Sequence, residues 1–435
     1  MTRRLHPAWL VAAVAFVALV GAAGFRATPA VMLGPLHTEF GWSLGTISAA
    51  VSVNLVLYGL TAPFAAALMD RFGIRRVVTA ALLTVAAGSG VTVFMTASWQ
   101  LILCWGVLVG LGTGSMALAF VATVTGRWFV KRRGLVTGVL TAGGAAGQLV
   151  FLPLLAWLTA DRGWRAAALV VAGSALAVVP LVWWRLRDRP ADLGVTPYGA
   201  TENPPEAPRG NAARVAVRGL LDAARTRPFW LLAGGFAICG ATTNGLVGTH
   251  FIPAAHDHGM AQTTAAGLLA LVGLFDIAGT IASGWLTDRV DSRVLLGVYY
   301  AGRGLSLLVL PALFSQSAQP SMLVFIVFYG LDWVATVPPT VALCREYYGE
   351  RGAVVFGWVF AAHQLGAAVA ATAAGAVRDQ LGDYLYAWYG AGALALIASV
   401  LSLALRPRRT PAAGPAGPGI GLAYPAAASV SAPGS

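Results

Sequence analysis

Apolar residues run along the chain in about twelve stretches, each close to the roughly 20 residues that a helix needs to cross a bilayer. They cover 9–34, 44–68, 77–97, 100–126, 134–158, 165–184, 229–254, 262–286, 294–314, 320–344, 352–376 and 385–405. Glycine and proline inside them do not argue against helix, because both are common in membrane spans. The first stretch resembles a secretory signal, with Arg3-Arg4 before it and Ala27-Thr28-Pro29-Ala30 at its end; eleven more follow, so it reads as an uncleaved first helix. The pattern predicts an all-α integral membrane protein: twelve transmembrane helices in two six-helix halves, residues 1–184 and 229–409. Residues 185–228 form the one long connection. Pro190, Pro197, Pro204, Pro205 and Pro208 make its first part a flexible linker. From Asn211 to Arg225, Val215, Leu220 and Leu221 alternate with arginines, which predicts a surface helix on an anionic leaflet. The Ala/Pro/Gly-rich tail 410–435 is expected to be disordered.

The polar segments between the stretches repeat. Asp70-Arg71 with Arg75 recurs 218 positions later as Asp288-Arg289 with Arg293, and Arg127, Arg133 and Gly134 recur as Arg345, Arg351 and Gly352. Gly138 and Gly147 meet Gly357 and Gly366 at an offset of 219. A duplicated membrane bundle explains this, and parallel repeats of this kind build many secondary transporters.

Composition agrees. Hydrophobic residues make up 57% of the 435 and charged residues 11%, against about 25% charged in an ordinary soluble domain. The net charge of +12 is topology information rather than a nucleic-acid surface. Basic residues gather on one side of the spans, in the segments around Arg3, Arg75, Arg132, 185–228, Arg289, Arg351 and Arg408, while the other side has Arg162, Arg165 and Arg378. The positive-inside rule then puts both termini in the cytoplasm, in a multi-pass protein of the inner or plasma membrane. No aromatic-interleaved basic patch suggests stacking on bases. Cys104, Cys239 and Cys344 lie in or beside apolar runs without a CxxC motif, and read as small packing residues. The single lysine, Lys131, is followed by Arg132, so a P-loop is excluded; HExxH and GxSxG are absent too. The chain is not read as an enzyme, and no cofactor or metal is expected. His256-Asp257-His258 lacks evident further ligands.

Two motifs carry a resemblance to a known family. Asp70-Arg71-Phe72-Gly73-Ile74-Arg75-Arg76 looks like the signature loop between helices two and three of the major facilitator superfamily, with Ala66 in place of the usual opening glycine. The second copy keeps that glycine as Gly284 but has Asp291 where the later one stands. Trp128-Phe129-Val130-Lys131-Arg132-Arg133-Gly134-Leu135-Val136-Thr137-Gly138, continuing to Ala142-Gly143 and Gly147, resembles the fifth-helix motif of monocarboxylate transporters; Trp128, Val136 and Leu140 depart from its usual residues. Gly134-xxx-Gly138, Gly143-xxx-Gly147, Gly106-xxx-Gly110 and Gly110-xxx-Gly114 allow close helix approach. The resemblance implies the major facilitator fold. It also implies a conformational latch made of Asp70, Arg71, Arg75, Arg127, Lys131, Arg132 and Arg133, with Asp288, Arg289 and Arg293 as its second copy. An acid at a helix end can pair with arginines across the bundle. Topology-setting loop charge is the plainer role of the same residues. In the eighth span, Asp276 matches the monocarboxylate family's acid, and Thr280 stands where its arginine would be.

Arg26, Asp276, Arg303 and Asp332 fall inside spans. A charge there costs about 2.5–3.5 kcal/mol even on a lenient scale. Arg303 can pair with Asp276 or Asp332, a structural reading. Asp276 is a candidate proton-coupling group, with permanent pairing as the alternative. Arg26, whose offset partner is Asn244, offers a planar fork to a carboxylate. Asn54, Tyr58, Gln148, His363 and Gln364 add polar groups at similar depth, either to a small-molecule site or as interhelical hydrogen bonds. The reading is a secondary carrier of a small organic anion, a monocarboxylate among the candidates, with protons as a coupling partner. The alternatives are a proton-coupled exporter of a hydrophobic drug or metabolite, and a non-transporting membrane sensor.

Overall fold

All twelve apolar stretches coincide with helical rods, here called spans 1 to 12. They are Pro7–Phe40, Leu44–Phe72, Ile74–Val91, Ser98–Gly114 continued by Leu118–Trp128, Arg133–Arg162, Trp164–Arg185, Arg227–Asp257, Gln262–Thr287, Ser292–Leu313, Pro320–Tyr348, Gly352–Leu381 and Leu385–Leu403. The computed structural model describes residues 6–116, 118–202, 212–287 and 289–406, without the side chains of 26, 27, 66, 67, 118, 119, 133, 134, 141, 142, 145, 148, 212 and 350. Among the described residues, ten helices are long and apolar enough to cross a membrane. The expected tail, 410–435, lies outside them. Exposed tryptophans mark both ends of the bundle: Trp183, Trp184, Trp230 and Trp285 at the end carrying the basic residues, Trp99 and Trp157 at the other. Amphipathic rings of this kind sit at the two membrane–water interfaces.

The rods turn tightly. Ser43 accepts from the Thr46 amide at the start of span 2 (3.1 Å), and Asp291 does the same for Arg293 at span 9 (2.8 Å). One residue, Gly73, separates spans 2 and 3. Its φ of +87° suits glycine, and a β-carbon there would come within 2.6 Å of the Asp188 carboxylate.

Small residues set the packing, as expected where lipid supplies no hydrophobic drive between helices. Gly106, Gly110 and Gly114 of span 4 rest on Val53, Asn54 and Tyr58 of span 2. Gly143 and Gly147 of span 5 meet Phe16 and Ala23 of span 1. Spans 7 and 11 interlock, with Gly240 against the His363 carbonyl and Gly366 against that of Ala237. Span 2 packs more extensively on span 11 than any other pair of elements does, and span 5 packs along span 8.

Several stretches of the spans depart from regular α-helix. Span 4 breaks after Gly114, and span 10 loses regular helix over residues 333–336. Span 7 widens to π-helix over Ala241–Val247, as span 4 does over Ile102–Val109. The start of the long connection, expected to be flexible, is folded instead. Pro190 accepts from the Val195 amide (3.2 Å), Tyr198 pairs with the Trp128–Lys131 backbone, and its ring meets Trp9 and Phe129. The surface helix spans Ala212–Ala223. Ala216, Gly219 and Ala223 face the bundle; Val215, Arg218 and Leu221 face out.

The glycine contacts make a stability prediction. Gly366→Ala should cost about 1–3 kcal/mol, because its β-carbon would fall on a backbone carbonyl that cannot turn aside. Gly357→Ala, one turn or more away with open space beside it, should be neutral or gain up to about 1 kcal/mol of helix propensity. Thermal unfolding of the two variants in detergent checks the contrast; equal midpoints would contradict the packing.

Candidate functional site

The break in span 10 organises the polar groups at bilayer depth. Pro338 and Pro339 have no amide hydrogen, so the helix cannot continue normally through the preceding turn. The Val337 amide closes early on Val334 (2.9 Å) and the Trp333 amide on Gly330 (3.1 Å). That leaves several backbone groups without helical partners, and side chains from other spans take them. Ser283 of span 8 donates to the Ala335 carbonyl (2.5 Å), and Asp276 accepts from the Val334 amide (3.0 Å). Arg303 Nη2 donates to the carbonyls of Asp332 (2.7 Å) and Trp333 (3.2 Å).

Arg303 is fully buried, and each of its five donors has an acceptor. Nε donates to Asp332 Oδ2 (2.6 Å), and Nη1 donates to Cys239 Sγ (2.9 Å) and Thr242 Oγ1 (3.5 Å). The rings of Tyr300 and Tyr329 lie 5.8 and 5.9 Å from the guanidinium carbon. The charge partner is therefore Asp332, and not Asp276, whose Oδ1 is occupied by Thr280 Oγ1 (3.0 Å) and the Val334 amide. Cys239 was expected only to pack. It is a polar contact of Arg303 and of Thr336 (3.3 Å). Sequence carried no signal for that role beyond an isolated cysteine in an apolar run.

The remaining polar candidates divide. Asn54 is spent on an interhelical bond to the Trp105 carbonyl (2.9 Å). Asn244 sits in the π-helical turn of span 7, its carbonyl accepting from Thr249 (2.8 Å). Tyr58 lines a small space of about 30 Å³ with Ala22, Phe25, Thr113 and Met116, and its ring meets Phe360 edge-on. His363 lies flat on Phe360 and against Phe236, and Gln364 packs against Gly59 of span 2. His363 Nδ1, Gln364 Oε1 and Asp332 Oδ1 are buried without a protein partner. Such atoms are exceptions in folded proteins and call for a reason. The side chains of Arg26 and Gln148 lie outside the description; the Arg26 backbone is one turn beyond Ala22 in span 1.

At the basic end, Asp70 pairs with Arg127, tying span 2 to span 4. Asp188, after span 6, completes this cluster: its carboxylate takes the Arg75 amide (2.8 Å), and its carbonyl accepts from Arg127 (3.4 Å). Sequence reasoning missed Asp188, although an acid between Arg187 and Arg189 at the end of a span was a signal. Arg75 covers Trp183, and Arg71 covers Phe72. Lys131 and Arg132 are exposed, Arg132 in the left-handed region (φ +60°); the Arg133 side chain is among those not described. The second copy is built differently. Asp288 lies outside the described residues, Arg289 covers Trp285, and Arg293 pairs with Asp291 and donates to the Leu405 carbonyl (2.9 Å). Arg293 holds the Asp291 carboxyl below the usual carboxylate range.

The opposite end has its own tie, also missed. Asp379 of span 11 accepts from the Leu44 and Gly45 amides (2.9 and 2.7 Å) at the N-terminus of span 2, where a carboxylate meets the positive end of the helix dipole. Between the ends, Ser52 meets Ala368 and Thr372 (2.5 and 2.6 Å). Phe64 meets Trp358 nearer the basic end (6.1 Å between centroids). Spans 2 and 11 are thus in contact along their lengths.

A bundle of apolar rods around a buried ion pair, with carboxylates bound at helix ends on both sides, is the architecture of a multi-pass membrane protein. The chain matches the model of the Major Facilitator Superfamily over residues 14–356 and 255–431 and belongs to that family. Over 386 residues it is 26% identical to an "Uncharacterized MFS-type transporter YcxA" of Bacillus subtilis (strain 168), covering 87% of this chain and 90% of that protein. It is 27% identical to human "Monocarboxylate transporter 11" over 420 residues, 94% of this chain and 84% of that protein. The crystal structure of a D-xylose-proton symporter shares the fold, with a TM-score of 0.69 at 16% identity over 92% of this chain and 98% of that one.

Two predictions follow the geometry. Arg303→Leu should lower stability by about 3–5 kcal/mol, because it strands a buried carboxylate, and Arg303→Leu with Asp332→Leu should recover much of that loss. A double-mutant cycle with no coupling would remove the pair. Asp379→Asn should weaken the tie at the far end by about 0.3–1 kcal/mol. Maleimide labelling of Ser48→Cys, buried against Gly375, should then run about two- to fivefold faster. An unchanged rate would mean that Asp379 does not hold that end shut.

Proposed function

We propose that this transporter is a secondary carrier of small organic anions, monocarboxylates foremost, working by alternating access between two six-helix halves. One observation carries the reading. Of the two arginines inside spans, Arg303 has all five donors engaged by the protein. An anionic solute's counter-charge therefore falls to Arg26, whose planar fork suits a carboxylate. His363 and Gln364, with unpartnered buried atoms, and Tyr58 complete the proposed contact set, to which Asn54, Gln148 and Asn244 are further candidates. Similarity to monocarboxylate transporter 11 along nearly the whole chain supports the solute class. The residues beside Tyr58 are largely apolar, which favours, as the second reading, proton-coupled export of a hydrophobic drug or metabolite.

In this reading the protein lies in the cell membrane with both termini and the basic end cytoplasmic, the orientation that the positive-inside rule favours. The Asp70–Arg127–Asp188 cluster latches that side. Asp276 carries the proton where transport is proton-linked: its engaged oxygen is held by Thr280 and Val334, and opening the bundle to one side exposes the other to water. Asp332 stays with Arg303 as a structural ion pair.

Uptake of labelled lactate, pyruvate, formate, oxalate and acetate into proteoliposomes, with and without an inward proton gradient, tests the reading. Saturable uptake of one of these acids is expected. Arg26→Ala should abolish it without lowering expression; full activity in that variant removes Arg26 from the site. Asp276→Asn should lose the response to the gradient, and persistent pH-dependent uptake would sink the coupling role. No uptake of any acid would favour the exporter.

A further inference from the structure

At the basic end, spans 2, 3 and 4 line an open groove of about 420 Å³. Leu68, Phe72, Val77, Ala80 and Leu111 line it, and Arg76 stands among them. Its polar-looking walls are apolar in practice. The hydroxyls of Thr84 and Ser115 donate to carbonyls of their own helices, Ala80 (2.7 Å) and Leu111 (2.9 Å). Gly112 lets span 4 close on the Ala81 carbonyl beneath. Leu68, Phe72 and Leu111 are 38%, 47% and 40% exposed. On rods of this length and hydropathy, exposed apolar side chains face acyl chains.

The charge at this groove is distinctive. Its neighbours are engaged: Arg71 over Phe72, Arg75 over Trp183, Arg127 on Asp70. Arg76 is exposed and has no hydrogen-bond, ion-pair or ring partner among the described residues. From Arg76 to Thr84 the trough runs down span 3 by about 12 Å, eight residues at 1.5 Å each. The exposed Trp183 and Trp184 at the end of span 6 mark the interface level beside it.

We propose that this groove binds an anionic glycerophospholipid, one acyl chain lying in the trough and the phosphate resting on Arg76. The apolar walls select a chain, and the unpartnered guanidinium selects net negative charge over a zwitterion. The lipid touches both spans 2 and 4, the rods that Asp70 and Arg127 tie, so its binding bears on the same end of the bundle.

Native mass spectrometry of the full-length purified protein, offered phosphatidylglycerol and phosphatidylcholine of identical acyl chains at equal concentration, tests the proposal. The wild type should retain phosphatidylglycerol about fivefold better, the effect of one arginine on an anionic headgroup. Arg76→Gln should bring the ratio near one, Arg76→Lys should keep it, and Ala80→Trp, which fills the trough, should lower retention of both lipids. Arg218→Gln, on the exposed surface helix, should leave the ratio unchanged. Equal retention of the two lipids by the wild type would overturn the proposal. So would an Arg218→Gln ratio falling as far as that of Arg76→Gln, which would mark diffuse surface attraction. Should Arg76→Gln fail to fold, undiminished binding to Ala80→Trp would overturn it alone.

Discussion

A backbone amide or carbonyl at bilayer depth has no water to turn to, and this constraint shapes the polar interior of the transporter. Span 10 violates helical continuity there, because Pro338-Pro339 removes two donors from the ladder. The freed groups are taken by Arg303 from span 9 and by Asp276 and Ser283 from span 8. Two of these side chains do double duty. Arg303 neutralises Asp332 and donates to two carbonyls; Asp276 accepts from the Val334 amide and from Thr280. The break is therefore a junction of three spans, and the charges are what make it stable in an apolar surrounding. Removing Arg303 strands both a charge and two backbone carbonyls, which costs more than either alone.

The duplication sharpens this point. The break in span 4 begins at Ser115 and that in span 10 at Trp333, the same 218-residue offset that relates the charged loops. The surroundings are not duplicated. At the positions equivalent to Arg303, Asp276, Ser283 and Asp332 the first copy has Val85, Tyr58, Ala65 and Gly114. Among the described residues, span 4 meets its neighbours at the break by contact, with Gly114 against the Tyr58 backbone and Gly112 against Ala81; span 10 closes its break by charge. One backbone irregularity thus has two chemical solutions in one molecule. The loops behave alike: the first copy ties Asp70 to Arg127 with Asp188 alongside, and the second turns Arg293 onto Asp291.

Hydropathy made the twelve rods legible, because each stretch is apolar over a bilayer's thickness whatever its neighbours do. The glycine ladder of span 4 and the span 5 glycines were legible for the same local reason. The ion-pair partner of Arg303 was not. Asp276 and Asp332 lie at comparable sequence distances from it, and the choice depends on how spans 8, 9 and 10 are rotated about their axes. Asp188 and Asp379 escaped notice because their partners are backbone amides, which no side-chain pattern announces. Asp379 bonds residues more than three hundred positions away. The break in span 10 was half visible: its prolines are in the sequence, but proline is tolerated in spans, and only the recruited side chains show that this pair interrupts the helix.

The asymmetry between the copies bears on where the molecule can move. A contact-closed break such as that of span 4 can slide, since its glycines present smooth backbone and lose only dispersion contacts when displaced. A charge-closed break such as that of span 10 cannot, because shifting span 10 against spans 8 and 9 would separate Arg303 from three acceptors at once. Spans 8, 9 and 10 should consequently travel as a block. Adjustment then falls on the interfaces between blocks, where spans 2 and 11 meet through hydroxyl, amide and ring contacts that are individually weak. The helix-end tie through Asp379 crosses that interface at one end, and the cluster around Asp188 joins spans 2, 3, 4 and 6 at the other end of span 2. Each is exposed enough for water to replace the bonds it loses, which is the property a reversible closure requires and a buried charge pair lacks.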